Sequence, residues 1–211
     1  MKTEISWRHA TWSRLARLAL PVLALSAFIA AATLTEAEKK EGLAQLERTR
    51  AGVVEATKGL SEAQWKFKPG PERWSVAEVL EHIALAEDYL LENTSHKVME
   101  ASAGKADRDY KSVDKLVSRA IADRTQKAQA PEPLQPAGRW SPQETLQRFL
   151  KSRDRTTAFL QSTPGLRDHV VDSPLGQPLD AYQWLLFIAA HSERHTKQIL
   201  EVKSDPNFPA K

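Results

Sequence analysis

The chain has 211 residues, 41% of them hydrophobic and 27% charged, which suits one globular core with appendages. It contains no cysteine, which excludes disulfides, thiolate metal sites, a cysteine nucleophile and a lipid-modified cysteine. The net charge of +3 matches that of residues 1–32 alone (Lys2, Arg8, Arg14 and Arg17 against Glu4), so the remainder is neutral and argues against a nucleic-acid partner.

The N-terminal segment reads as a secretory leader. A basic stretch precedes an apolar run from Leu18 to about Ala32, and Ala30-Ala31-Ala32 offers an Ala-x-Ala cleavage site. The run is interrupted by Pro21 and falls short of the roughly 18 residues of a membrane span. These features predict a signal peptide over 1–32 and a periplasmic or secreted domain over 33–211. The alternative is an uncleaved leader that anchors the protein to a membrane. An exported chain without disulfides must rely on its core, and any metal site in it must use His, Asp, Glu and water.

The rest of the chain predicts an all-α fold. Glycine is sparse, strong helix formers dominate, and no apolar run alternates at period two. The first long helix is expected from Thr35 to about Leu60. A linker, "SEAQWKFKPGPER", follows, and its Pro69, Gly70 and Pro71 forbid a continued helix. The second helix opens at "WSVAEVLEH" with Ser75 as cap and Glu78 closing a capping box, and it is expected to reach Ala101. Residues 102–140 form a long connection with a short helix in "SVDKLVSRAIADR" and a proline-rich stretch. A connection of this length in a compact domain is functional or a crossover. The third long helix starts with Ser141, Pro142 and Glu144 and ends near Gln161. The fourth starts with Asp180 and Gln183 and runs to about Val202. The expected architecture is therefore a four-helix bundle with a long crossover between helices two and three. A glycosylation sequon at Asn93-Thr94-Ser95 falls inside a predicted helix and is discounted.

The last helix carries His191 and His195 in "AAHSERHTKQ". At 100° per residue they lie about 40° apart, in one sector with Trp184, Phe187, Ile188, Ile199 and Val202. Leu186, Glu193 and Lys197 fall on the opposite side. Two buried imidazoles need partners, because an unpaired buried polar group costs roughly 1–3 kcal/mol. His82 on the second helix sits at the edge of the stripe formed by Val76, Val79, Ile83 and Leu90, beside the small Ala86. Three neutral imidazoles from two packed helices can hold zinc or a similar divalent ion and leave one position open. The competing reading makes each histidine a hydrogen-bonded core residue. Glu78 is either a fourth ligand, a hydrogen-bond acceptor behind His82, or only the capping-box partner of Ser75. Glu87 points about 140° from His82 and reads as a solvated charge. Trp65 and Trp74 read as packing residues, and His96 and His169 as surface residues.

Taken together, "LSEAQWKFKPGPERWSVAEVLEHIALAEDYLL" and "DAYQWLLFIAAHSERHTKQILEV" resemble the DinB-like superfamily over roughly 40–203. The resemblance implies a four-helix bundle with a long crossover, frequently dimeric, holding a divalent metal through histidines at the positions of His82, His191 and His195. It implies no DNA binding, despite the family name. Several such proteins are S-transferases or isomerases that use bacillithiol, mycothiol or glutathione. Those thiols are mainly cytoplasmic, so the export expected here departs from that chemistry. Two functions follow from the residues: a metal-dependent hydrolase or transferase acting on a small molecule, or a non-catalytic metal-binding or partner-binding helical module. Zinc, nickel and manganese are the candidate ions, and occupancy is expected to fall as imidazoles protonate below about pH 6.5.

Overall fold

The computed structural model describes residues 33–105, 107–125 and 127–211. The apolar leader read over 1–32 lies outside the described residues. Among the described residues there are six α-helices: α1 (Glu36–Thr57), α2 (Glu62–Lys66), α3 (Val76–Glu92), α4 (Tyr110–Ala122), α5 (Pro142–Ser162) and α6 (Ala181–Lys203). Strands β1 (Val170–Asp172) and β2 (Pro178–Asp180) form an antiparallel hairpin just ahead of α6, with Val171 opposite Leu179. Among the described residues no helix is long and apolar enough to cross a membrane.

Local chemistry sets the helix starts. The expected capping boxes at Ser75/Glu78, Ser141/Glu144 and Asp180/Gln183 are all formed, and Thr35/Glu38 and Ser61/Gln64 make two more. The box at Ser61 nucleates α2 inside the segment expected to be plain linker. The second long helix is shorter than expected. It leaves α-geometry after Glu92 and closes with a π-helical turn, Asn93–Val98, in which Thr94 is buried and donates to the Leu90 carbonyl. This turn contains the discounted sequon.

The bundle consists of α1, α3, α5 and α6. α1 runs parallel to α6, since the Tyr182 hydroxyl donates to the Glu38 carbonyl at one end and Lys203 Nζ to the Ala56 carbonyl at the other. Gly42 permits the close approach, because a Cβ there would meet the Tyr182 ring at 2.8 Å. α3 and α5 are also parallel: Val79 clusters with Phe149 near their starts, and Leu91 with Leu160 near their ends. Two parallel neighbours cannot be joined by a tight turn, so the chain returns between them. α4 makes that return along α6. Gln183 Nε2 donates to the Tyr110 carbonyl at its start, and Lys197 Nζ to the Ala122 carbonyl at its end.

Two apolar clusters occupy the two ends of the bundle, and a polar layer lies between them. On α1, Thr49 separates Leu46 from Val53; on α5, Arg153 and Thr156 separate Phe149 from Leu160; on α6, Ser192 and His195 separate Ala189 from Ile199. This layer revises two expectations. Glu87 is not a solvated charge: it is 2% exposed and binds the guanidinium of the fully buried Arg153, because α5 covers the face of α3 that α6 leaves open. Leu186 is also buried, because α6 is enclosed by α1, α3 and α4 and has no single core-facing side.

Candidate metal centre

The capping box at Ser75 fixes the start of α3 and places His82 about two turns in, on the side facing α6. The antiparallel α6 brings His191 and His195 opposite it. One nitrogen from each of the three rings lies within 4.8 Å of the other two. His82 Nε2 and His191 Nε2 are 3.2 Å apart, and the ring centroids of His195 lie 4.5 Å from His82 and 4.4 Å from His191. Two nitrogens bound tetrahedrally at 2.0–2.1 Å to one zinc ion would be about 3.3 Å apart, so the spacing fits a shared ion.

The outer ring nitrogens of His82 and His195 are occupied. His82 Nδ1–H donates to the Leu134 carbonyl at 2.8 Å, and His195 Nδ1 lies 2.8 Å from Gln198 Oε1. A carbonyl only accepts, so His82 carries its proton on Nδ1 and turns the Nε2 lone pair toward the cluster. The Phe187 ring stacks on His191 at 6.5 Å, and Trp74 lies 5.0 Å from His82. Trp74, read as a packing residue, therefore forms part of the wall of the site, while Trp65 is buried in the cluster at the far end from Trp184.

Leu134 belongs to the long connection, and its position is enforced by Glu81, the neighbour of His82. The buried Glu81 carboxylate accepts from the backbone N–H groups of Ala137, Gly138 and Arg139, and from Arg139 Nη1 at 2.7 Å. Burial alone would raise this carboxyl, but those donors hold it below the usual carboxylate range. One residue thus clamps the loop whose carbonyl orients the adjacent histidine.

The electrostatics keep all three rings neutral. Burial lowers His82, outweighing its bond to Leu134. Burial, then His195, His82 and Arg194, hold His191 well below its ordinary value. Burial and then His82 push His195 down to about 3. Neutral imidazoles are the form that coordinates a cation.

Among the described residues no carboxylate joins the cluster. Glu78 is engaged elsewhere. It accepts from the Ser75 N–H at 2.7 Å and from Lys68 Nζ at 2.8 Å, so its role is the cap. His96 is exposed beside Glu92 on the π-helical turn, and His169 donates Nδ1–H to the Ala101 carbonyl, half-buried and away from the cluster. Gln198, Glu81 and Leu134 were not foreseen from the sequence. Gln198 carried a signal, since it follows His195 by three residues on one helix face. Leu134 carried none, being 52 residues from His82.

The sequence profile of the DinB superfamily matches residues 45–199. The chain belongs to this superfamily. It is 30% identical over 148 residues to the uncharacterized protein YuaE of Bacillus subtilis, an overlap of 69% of this chain and 87% of that one. Among solved structures, YfiT from Bacillus subtilis aligns with a TM-score of 0.52 at 15% identity, over 83% of this chain and 91% of its own. That protein is described as "a probable metal-dependent hydrolase with an unusual four-helix bundle topology". At this identity the likeness establishes the four-helix-bundle fold.

Proposed function

We propose that the protein holds one divalent metal ion through His82, His191 and His195 and acts on a small molecule as a metal-dependent hydrolase or transferase. The observation that carries this reading is a cluster of three neutral imidazoles that, among the described residues, no carboxylate closes. The donor set fits zinc or nickel best among the candidate ions, and manganese less well, because imidazole is a borderline ligand. A bound ion of this kind supplies Lewis-acid chemistry, polarising a substrate carbonyl or lowering the pKa of water toward about 7.

The protein's own contribution is orientation and exclusion of water. His82 is held by Leu134 and, through the loop, by Glu81. Trp74 and Phe187 wall the site, and His191 is partly buried where His82 and His195 are buried. The description of YfiT as "a probable metal-dependent hydrolase" supports the same reading by analogy of fold. A fourth protein ligand that closes the centre would favour a non-catalytic metal-binding or partner-binding module instead.

Elemental analysis of the purified protein after dialysis tests the centre, and a screen of ester, amide and phosphoester substrates with and without added zinc tests the activity. Full metal retention in both His82→Ala and His191→Ala would end this reading. Export rests on the order of basic, apolar and small residues at the N-terminus, and an intact mass starting near Thr33 in the periplasm would support it. A homodimer rests on the family resemblance, and light scattering at micromolar concentration tests it.

A further inference from the structure

His195 has two ring nitrogens, and only a deprotonated one can bind a cation at the cluster. Its Nδ1 lies 2.8 Å from the side-chain amide of Gln198. An amide presents either an accepting oxygen or a donating nitrogen, and the two are nearly the same shape, so this contact alone leaves the tautomer open. A third residue decides it. Arg124 Nη1 donates to the same amide atom at 3.2 Å. A guanidinium has donors only, so the atom between Arg124 and His195 must be the oxygen. With an oxygen on one side, Nδ1 must carry the proton, and Nε2 keeps its lone pair. Arg124 is itself fixed by a two-point bond to Glu201, at 2.6 and 2.7 Å.

We infer that Arg124, acting through Gln198, locks His195 in the Nδ1–H tautomer that leaves Nε2 free for a metal ion. Both are positioning residues. Arg124 lies two residues beyond the end of α4, so the segment that returns the chain across the bundle also governs a nitrogen of the centre. His82 needs no such device, because the carbonyl that it faces can only accept. Without Arg124 the Gln198 amide can turn over and donate to Nδ1. The His195 proton then moves to Nε2, where it blocks coordination. The effect on metal affinity rests on the proposed function; the tautomer lock does not.

The test uses the full chain and three variants: Arg124→Leu, Gln198→Leu, and Arg124→Leu combined with Gln198→Glu. Long-range ¹H–¹⁵N spectra of the metal-free protein read the His195 tautomer, and competition with a chelator reads zinc affinity. The wild type should show one tautomer, Nδ1–H. Arg124→Leu should show a mixture and bind zinc roughly 10- to 100-fold more weakly, the usual effect of losing a partner behind a ligand. The double variant should regain the single tautomer and most of the affinity, because a carboxylate only accepts. A merely structural role for Arg124 would give no such rescue. If Arg124→Leu does not fold, Gln198→Leu asks the same question. Wild-type spectra and affinity in the single variants would overturn the inference, as would a folded double variant that is not rescued. A locked tautomer in a wild type that binds no zinc would uphold the lock and overturn the proposed function.

Discussion

The polar layer contains two assemblies that both draw on α3 and α6, and they solve the same problem in opposite ways. Around Arg153, all five guanidinium N–H donors have acceptors: both Glu87 oxygens, the Leu46 carbonyl, Thr49 and Ser192. Glu87 also accepts from Thr156. The network is closed and neutral, and it asks for nothing from outside. Around His82, His191 and His195 the outer nitrogens of His82 and His195 bond to a backbone carbonyl and a side-chain amide, and the inner ones converge on each other, with the Nε2 atoms of His82 and His191 3.2 Å apart. Three neutral imidazoles gathered at one point can take up a cation. A closed buried network is structural, whereas an incomplete one marks the place where something binds.

If this contrast is correct, the largest loss of stability should come from opening the closed network. Glu87→Ala leaves Arg153 charged and buried, which costs about 3–5 kcal/mol. Urea unfolding should show it, and the zinc content of the remaining folded protein should be unchanged. The reverse should hold at the incomplete assembly. His191→Ala, and equally His82→Ala or His195→Ala, should abolish stoichiometric zinc in elemental analysis. It should cost less stability than Leu185→Ala, a core truncation expected to lose roughly 2–5 kcal/mol. Parity between these two variants would mean that the histidines are packing residues.

Smaller effects sharpen the picture. Glu81→Ala should free the loop that carries Leu134 and weaken zinc binding about tenfold, measured against a competing chelator. The acid response has a defined sign. The three histidines are depressed in the folded protein, so the unfolded chain takes up protons first as pH falls below about 6.5. The metal-free protein should therefore be most stable above that value and lose stability below it, until the folded rings protonate, for His195 at about 3. His195→Ala should flatten this decline in urea titrations at successive pH values. The same burial moves proton competition for the metal below the pH expected from ordinary imidazoles. The smallest effect is none: His96→Ala, on the exposed turn, should alter neither zinc content nor unfolding.

The sequence by itself determined the starts of the four long helices, the all-α class and the identity of the three clustered histidines. These are local facts. A capping box spans four residues, and His191 and His195 share a face because a helix turns every 3.6 residues. The same local signals marked Ser75, Ser141 and Asp180 without any knowledge of packing. Tertiary structure alone decided what lies behind and between those elements. Glu87 looked like a surface charge because its helix face was judged from one partner helix, and α5 then covered it. The acceptor for His82 came from a loop 52 residues away, held by the Glu81 carboxylate through four donors on residues 137–139 of that same loop. Hydrogen-bond partners across such distances are set by how parallel helices are joined and where the return segment lands, and no periodicity in a single segment encodes that.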